Sequence, residues 1–375
     1  MRPSESVAAR ELASIRAQGL LRRLRAARAD GAHAIVGRRR LLNLSSNDYL
    51  GLSSGIPRWA QAASSSRLLS GNDPGYGPLE RSLAAHRSCR AALVFPTGYM
   101  ANIGAVCSLA GRGDTILSDE LNHASVIDAC RLSGAKTVVY AHNDVGALER
   151  GLARARGTAL VVTEGVFSMD GDVADVRAIA GAARRHGAIG VLDDAHGDFV
   201  LGPRGGGTGS AERARMDVHT GSLSKALGSL GGYVAAGRRA VDLCANRART
   251  MIYTSALPPA VVGHARARLA EPKAARRRRL ARNVGMLHEC LDSMGLGREG
   301  ARTHIAPVVV GDERRAVRLG ERLAERGVLA HAVRYPTVAR GSARVRLSVT
   351  AWPGEGELGR GLDEVRRACR SLRVS

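Results

Sequence analysis

Lysine is nearly absent from this chain: among 56 basic residues in 375, only Lys136, Lys225 and Lys273 are lysines. The rest are arginines spread along the whole length, so the formal charge of +22 reads as a compositional bias and not as one designed patch. Aromatic residues make up only 3%, which removes the stacking platforms that a single-strand nucleic-acid binder uses. A basic nucleic-acid-binding protein is therefore the rival reading of the charge, not the leading one. A basic surface serves equally to steer an acidic partner or an anionic thioester. No run of eighteen apolar residues is present, so no membrane span is expected. The arginine-rich N-terminus lacks the apolar stretch of a secretory signal, and a cytoplasmic location is expected. The six cysteines form no C-x-x-C pair and the eleven histidines no H-E-x-x-H, so neither a metal site nor a disulfide framework is expected.

Apolar residues are 45% of the chain, enough for a large core. Residues 5–29 read as a basic helix with Leu12, Ile15, Leu20, Leu21 and Leu24 on one stripe,. From about residue 90, apolar runs of strand length at 92–95, 115–117, 137–140, 159–163 and 188–192 alternate with helical stretches at 99–110, 122–133, 144–155 and 175–186. That alternation predicts an α/β fold with a mostly parallel sheet covered by helices. After Leu257-Pro258-Pro259 a long arginine-rich helix is expected over 260–294, its charged run Arg276 to Arg279 on a solvated face. A βαβ-like tail (305–310, 313–326, 345–349) reads as a smaller C-terminal domain. The expected division is an N-terminal helical segment at 1–40, a large domain at 41–270 and a small α/β domain at 271–375.

Four segments carry chemistry. In Thr220-Gly221-Ser222-Leu223-Ser224-Lys225-Ala226-Leu227-Gly228, a rare lysine lies among small and hydroxylated residues. A partly desolvated amine there can attack an aldehyde, and Ser222 with nearby amides can hold a phosphate; the bland reading is a surface lysine in a loop. Second, the strand-like run 188–192 ends in Asp193-Asp194-Ala195-His196-Gly197, at the strand end where α/β ligands bind. A carboxylate there can keep a pyridine nitrogen protonated, although one of the two aspartates can be no more than a helix cap. Third, Phe95-Pro96-Thr97-Gly98-Tyr99-Met100-Ala101-Asn102 is a strand, a glycine turn and a helix start, a common turn whose free N–H groups suit an anion. His123 in Asn122-His123-Ala124-Ser125 follows another strand and is either a ring-stacking imidazole or a structural one.

Together with Ser46-Asn47-Asp48-Tyr49-Leu50-Gly51 and Thr163-Glu164-Gly165-Val166-Phe167-Ser168-Met169-Asp170-Gly171-Asp172, these segments resemble, in the same order, those of the α-oxoamine synthase family. The resemblance runs from Leu41 to about Ala351. It implies the fold-type I pyridoxal-phosphate (PLP) transferase architecture, like that of aspartate aminotransferase, with a seven-stranded, mostly parallel sheet. It also implies a decarboxylative Claisen condensation of an amino acid with an acyl thioester. By matching position, Lys225 would hold the cofactor as a Schiff base and move the α-proton. Asp193 would face the pyridinium nitrogen, His196 and Ser168 the ring hydroxyl, and His123 the ring plane. Gly98, Tyr99 and Ser222 would hold the phosphate; relatives usually carry Thr at the position of Ser222. Thr254 and Ser255 would reach the phosphate of a neighbouring subunit, implying a homodimer with a shared active site. Arg346 and Asn47 would grip the amino-acid carboxylate, and Arg22 and Thr337 would contact substrate.

Two departures stand out. Ala63-Ser64-Ser65-Ser66 replaces glycines before Arg67, and Asp198-Phe199 replaces a smaller pair, with an expected effect on the pocket wall. The stretch Tyr335-Pro336-Thr337-Val338 with Gly341-Ser342-Ala343-Arg344 resembles members that join L-alanine to a pimeloyl thioester, carried on CoA or on a carrier protein. Glycine-using ketobutyrate ligases and secondary-pathway synthases are the alternatives.

Overall fold

The computed structural model describes residues 13–20, 27–52, 65–298, 300 and 302–374. It divides into two compact units. The smaller comprises 1–46, Met169–Gly171 and Arg279–Ser375, and the larger Asn47–Ser168 and Asp172–Arg278. The described residues before Asn47 fall in the same unit as the C-terminal part of the chain.

From Ala27 the smaller unit forms an antiparallel ribbon, where a helix running to residue 29 was expected. Strand β1 (Ala27–Asp30) pairs with β2 (His33–Val36), and β2 with β3 (Arg39–Asn43). Asp30-Gly31, expected to end a helix, instead opens a hairpin. Gly31 sits at φ +60° in the first position of a two-residue loop, a conformation that favours glycine and matches the strand twist. Gly37, at φ +61°, makes the same turn between β2 and β3. The helical periodicity was real only over 13–17 within the described residues.

The larger unit carries seven strands: β4 (Ala91–Phe95), β5 (Thr115–Asp119), β6 (Lys136–Tyr140), β7 (Ala159–Glu164), β8 (Ile189–Asp193), β9 (Val218–Ser222) and β10 (Gly232–Ala236). Their order is β4-β10-β9-β8-β7-β5-β6, with β10 alone antiparallel to its neighbours. Alternate strand residues feed two separate cores, as a sheet covered on both faces requires. Ile116, Leu160, Val162 and Val191 pack with helices Gly98–Leu109, Ala124–Ser133 and Arg238–Arg247. Leu117, Val161 and Leu192 pack with helices Val145–Leu152 and Val176–Arg185. Each such buried side chain contributes about 1.5–3 kcal/mol of hydrophobic stabilisation.

The long helix expected over 260–294 is two helices, Pro259–Ala270 and Ala274–Asp292. Pro272 explains the break, since it cannot donate to the helical ladder. Its arginine run is not wholly solvated either: Arg276 Nη1 donates to the carbonyls of Leu50 and Gly51 at 3.1 and 2.9 Å.

The rest of the smaller unit holds β11 (Ile305–Gly311), helix Glu313–Glu325, β12 (Val328–Leu329), β13 (His331–Val333), β14 (Ala343–Ser348) and helix Glu355–Ser371. The expected βαβ-like tail is instead an antiparallel sheet, β11-β14-β13, whereas β12 runs parallel to β3 and completes the N-terminal ribbon. Met169–Gly171 belongs to this unit. Asp170 pairs with Arg344 and, at 2.6 Å, with Arg298, and the Gly171 carbonyl accepts from Thr303 Oγ1 at 2.6 Å. Among the described residues no helix is long and apolar enough to cross a membrane.

Candidate active site

Strands β7, β8 and β9 end side by side at Glu164, Asp193 and Ser222, and Lys225 follows three residues after β9. This is the carboxyl edge of a parallel sheet, where α/β folds place ligands. Asp193 is 6% exposed. Its Oδ1 accepts the N–H of Ala195 at 3.0 Å and its Oδ2 the amide of Asn102 at 2.6 Å. Both carboxylate oxygens are thus fixed in place by donors.

Asn102 is the centre of a relay. Its Oδ1 accepts from Thr220 Oγ1 at 2.5 Å, and its amide also donates to Ser125 Oγ at 2.8 Å. Ser125 Oγ lies 2.8 Å from His123 Nδ1, which also accepts the Ser125 backbone N–H at 3.2 Å. An Nδ1 that accepts leaves the proton on Nε2, so the network assigns a neutral imidazole. Burial likewise lowers the His123 pKa, with Lys225 adding to that and Asp193 opposing it. The Tyr99 ring stands edge-on to His123 at 6.2 Å.

His196 Nδ1 lies 2.7 Å from Tyr49 Oη, and that hydroxyl donates to Asn47 Oδ1 at 2.9 Å. The Tyr49 proton being so used, His196 Nδ1 is the donor and Nε2 the acceptor.

The anion cradle is built from close approach. A Cβ on Gly232 would stand 2.4 Å from Gly98 N, and one on Gly98 would stand 3.4 Å from Ser222 Cβ. Thr97 Oγ1 caps the helix by accepting Met100 N–H at 3.1 Å. The N–H groups of Gly98 and Tyr99 precede the first intrahelical bond, Ala101 N to Thr97 O, and present the positive helix end. Ser222 and Ser224 hydroxyls pair at 2.9 Å beside them.

Asp194 has another task. It accepts from Thr208 Oγ1 at 2.7 Å and pairs with Arg87 Nη1 at 3.0 Å. Burial still pushes its pKa up to about 6 against the pull of Arg87. Asp198 is buried in the same knot. It is bound by His86 at 2.7 Å, Arg87 at 3.0 Å and the Tyr233 hydroxyl. It serves an internal network, not the pocket wall expected from the sequence.

In the smaller unit, Thr337 and Arg346 line one cavity of about 240 Å³ with Ser45, Met169, His331 and Arg334. Ser255 is exposed and its backbone bridges Ser66; its described contacts are not with the Asp193 network. Arg22, Ala63 and Ser64 lie outside the described residues. Sequence reasoning passed over Tyr49, Asn102 and Glu164 as site residues. All three stand inside or beside the quoted motifs, so motif membership was the available signal.

The donor set fits PLP: an amine, a fixed carboxylate, and a glycine–serine cradle at a helix N-terminus. Buried Glu164 Oε1 without a hydrogen-bond partner among the described residues agrees with a polar group expected there.

Comparison with known proteins gives the same answer. The family described as "Aminotransferase class I and II" matches residues 39–365. An 8-amino-7-oxononanoate synthase of Geobacter sulfurreducens is 42% identical, covering 97% of this chain and 98% of the relative. One from Anaeromyxobacter is 44% identical over 93% and 92%. A serine palmitoyltransferase of S. paucimobilis, solved with a bound PLP–myriocin aldimine, superposes with a TM-score of 0.91 at 28% identity over 98% of both chains. The chain belongs to the aminotransferase class I and II family of PLP-dependent enzymes, within its α-oxoamine synthase branch.

Proposed function

We propose that this enzyme condenses L-alanine with a pimeloyl thioester, on CoA or a carrier protein, to give 8-amino-7-oxononanoate, carbon dioxide and the free thiol. The observation that carries this is the 42–44% identity, over more than nine-tenths of the chain, to relatives bearing that synthase name. Bound PLP supplies the electron sink for a carbanion at the amino-acid α-carbon. Lys225 would anchor it, and its amine is placed to take the α-proton and to return one. Asp193, fixed by Ala195 and Asn102, would face the ring nitrogen. His123 would pack on the ring plane, and His196 and Ser168 would hold the ring hydroxyl. Gly98, Tyr99 and Ser222 would bind the phosphate. The planar fork of Arg346 takes the amino-acid carboxylate, with Asn47, and Thr337 and Arg22 contact substrate. The enzyme works as a cytoplasmic homodimer in which Thr254 and Ser255 reach the neighbouring subunit's phosphate.

The test is a product assay with L-alanine and pimeloyl-CoA or pimeloyl carrier protein, following carbon dioxide, free thiol and product mass. Turnover with glycine and a short acyl-CoA in place of these would select a ketobutyrate ligase. Amino transfer to a keto acid without carbon dioxide would reject the condensation.

A further inference from the structure

Glu164 ends strand β7 directly opposite Asp193 in the parallel register, so the two side chains share a face of the sheet. Their surroundings differ. Asp193 accepts the Ala195 N–H and the Asn102 amide. Glu164 is 2% exposed; the Ser168 N–H reaches its Oε2 at 3.3 Å and the His123 backbone also meets the carboxyl, while Oε1 has no hydrogen-bond partner among the described residues. Two buried carboxylates side by side do not both ionise, and the better-solvated one takes the charge.

We propose that Glu164 is the neutral member of a carboxyl pair with Asp193, holding a proton on Oε1 and donating it as a hydrogen bond to an oxygen of the bound cofactor. Asp193 alone then carries the negative charge. The groups that act on Glu164 are Asp193, Lys225, Ser168 and the backbone of His123, all within the cofactor site. Burial acts first, raising its pKa well above the ordinary carboxylate value; the charge of Asp193 raises it further and that of Lys225 opposes. Asn122 Oδ1 accepts the Glu164 backbone N–H at 3.0 Å, which fixes the strand end and holds the carboxyl beside Asp193.

The inference rests on PLP binding and is independent of the acyl donor, so it survives a wrong choice of substrate. It is tested on PLP-loaded wild-type protein by infrared spectroscopy at pH 7.5, with and without ¹³C-glutamate labelling. Glu164 is the one glutamate buried among the described residues. A protonated-carboxyl carbonyl band that moves with glutamate labelling and disappears in Glu164→Gln is the expected result. No such band, with only carboxylate bands lost in the variant, overturns the proposal. Cofactor affinity gives a second readout. Glu164→Gln keeps a neutral donor and should bind PLP within about threefold of wild type, whereas Glu164→Ala should weaken it roughly tenfold. Equal weakening in both variants contradicts a role as neutral donor.

Discussion

Asp198 shows how a single substituted position is absorbed. Its carboxylate is buried, and although burial opposes ionisation, the charges of His86 and Arg87 outweigh it and hold the pKa down at about 2. A depressed carboxylate contributes stability above the unfolded value near 3.9 and loses it as pH falls through about 2. Asp198→Asn should therefore flatten the acid limb of the stability curve between pH 4 and 2. It should also cost about 3–5 kcal/mol at neutral pH, because Arg87 is left buried with less compensation. Urea unfolding across that range checks both. At the active site, Lys225→Ala should abolish the visible band of bound PLP and lower turnover by at least about 10²-fold; an unchanged spectrum would remove Lys225 as the anchor. Asn102→Ala should weaken PLP binding roughly tenfold by taking one donor from Asp193, measurable by titrating the cofactor band. The sequence made Lys225, Asp193 and Ser222 legible because they stand in local motifs at strand ends. The bond from Asn102 to Asp193 was not, because the two are 91 residues apart and no local spacing encodes that meeting.

Among the elements, the segment after β7 is clamped by an imidazole. His142 Nδ1 lies 3.0 Å from Asp119 and Nε2 2.5 Å from Asp172, with Phe167 edge-on to its ring. Burial disfavours its charge, but hydrogen bonds and charge from both aspartates raise its pKa to about 10. A histidine raised in this way gives its full stabilisation below the unfolded value near 6.5, and the gain is lost as pH rises through about 10. Thermal unfolding of wild type should thus lose stability between pH 6.5 and 10 in a way that His142→Gln does not. Parallel slopes would mean the clamp carries no proton. The strands of the larger unit could be read from sequence because buried parallel strands form continuous apolar runs. The N-terminal ribbon could not: its strands are four or five residues long, and the arginines between them imitate a polar helical face. Pro272 was visible, yet the apolar periodicity on either side concealed the break.

For the molecule as a whole, charge and chain connectivity matter most. With +22 formal charges, association with an acidic carrier protein should be screened by salt. The KM for a pimeloyl carrier-protein thioester is expected to rise several-fold between about 50 and 300 mM salt, and more than that for pimeloyl-CoA; equal responses would make the arginines compositional only. Fold class was legible from alternation and motif order. The parallel pairing of β12 with β3 was not, since it is a contact with no local signature. That pairing has a consequence during synthesis. Leu42 N–H bonds the carbonyl of Gly327, so the ribbon must wait about 290 residues for its fourth strand. At ribosomal rates of 5–20 residues per second this is roughly 15–60 s. Throughout that interval the nascent chain carries an unpaired strand edge outside the tunnel, which leaves the ribbon dependent on chaperone cover and open to proteases until β12 emerges.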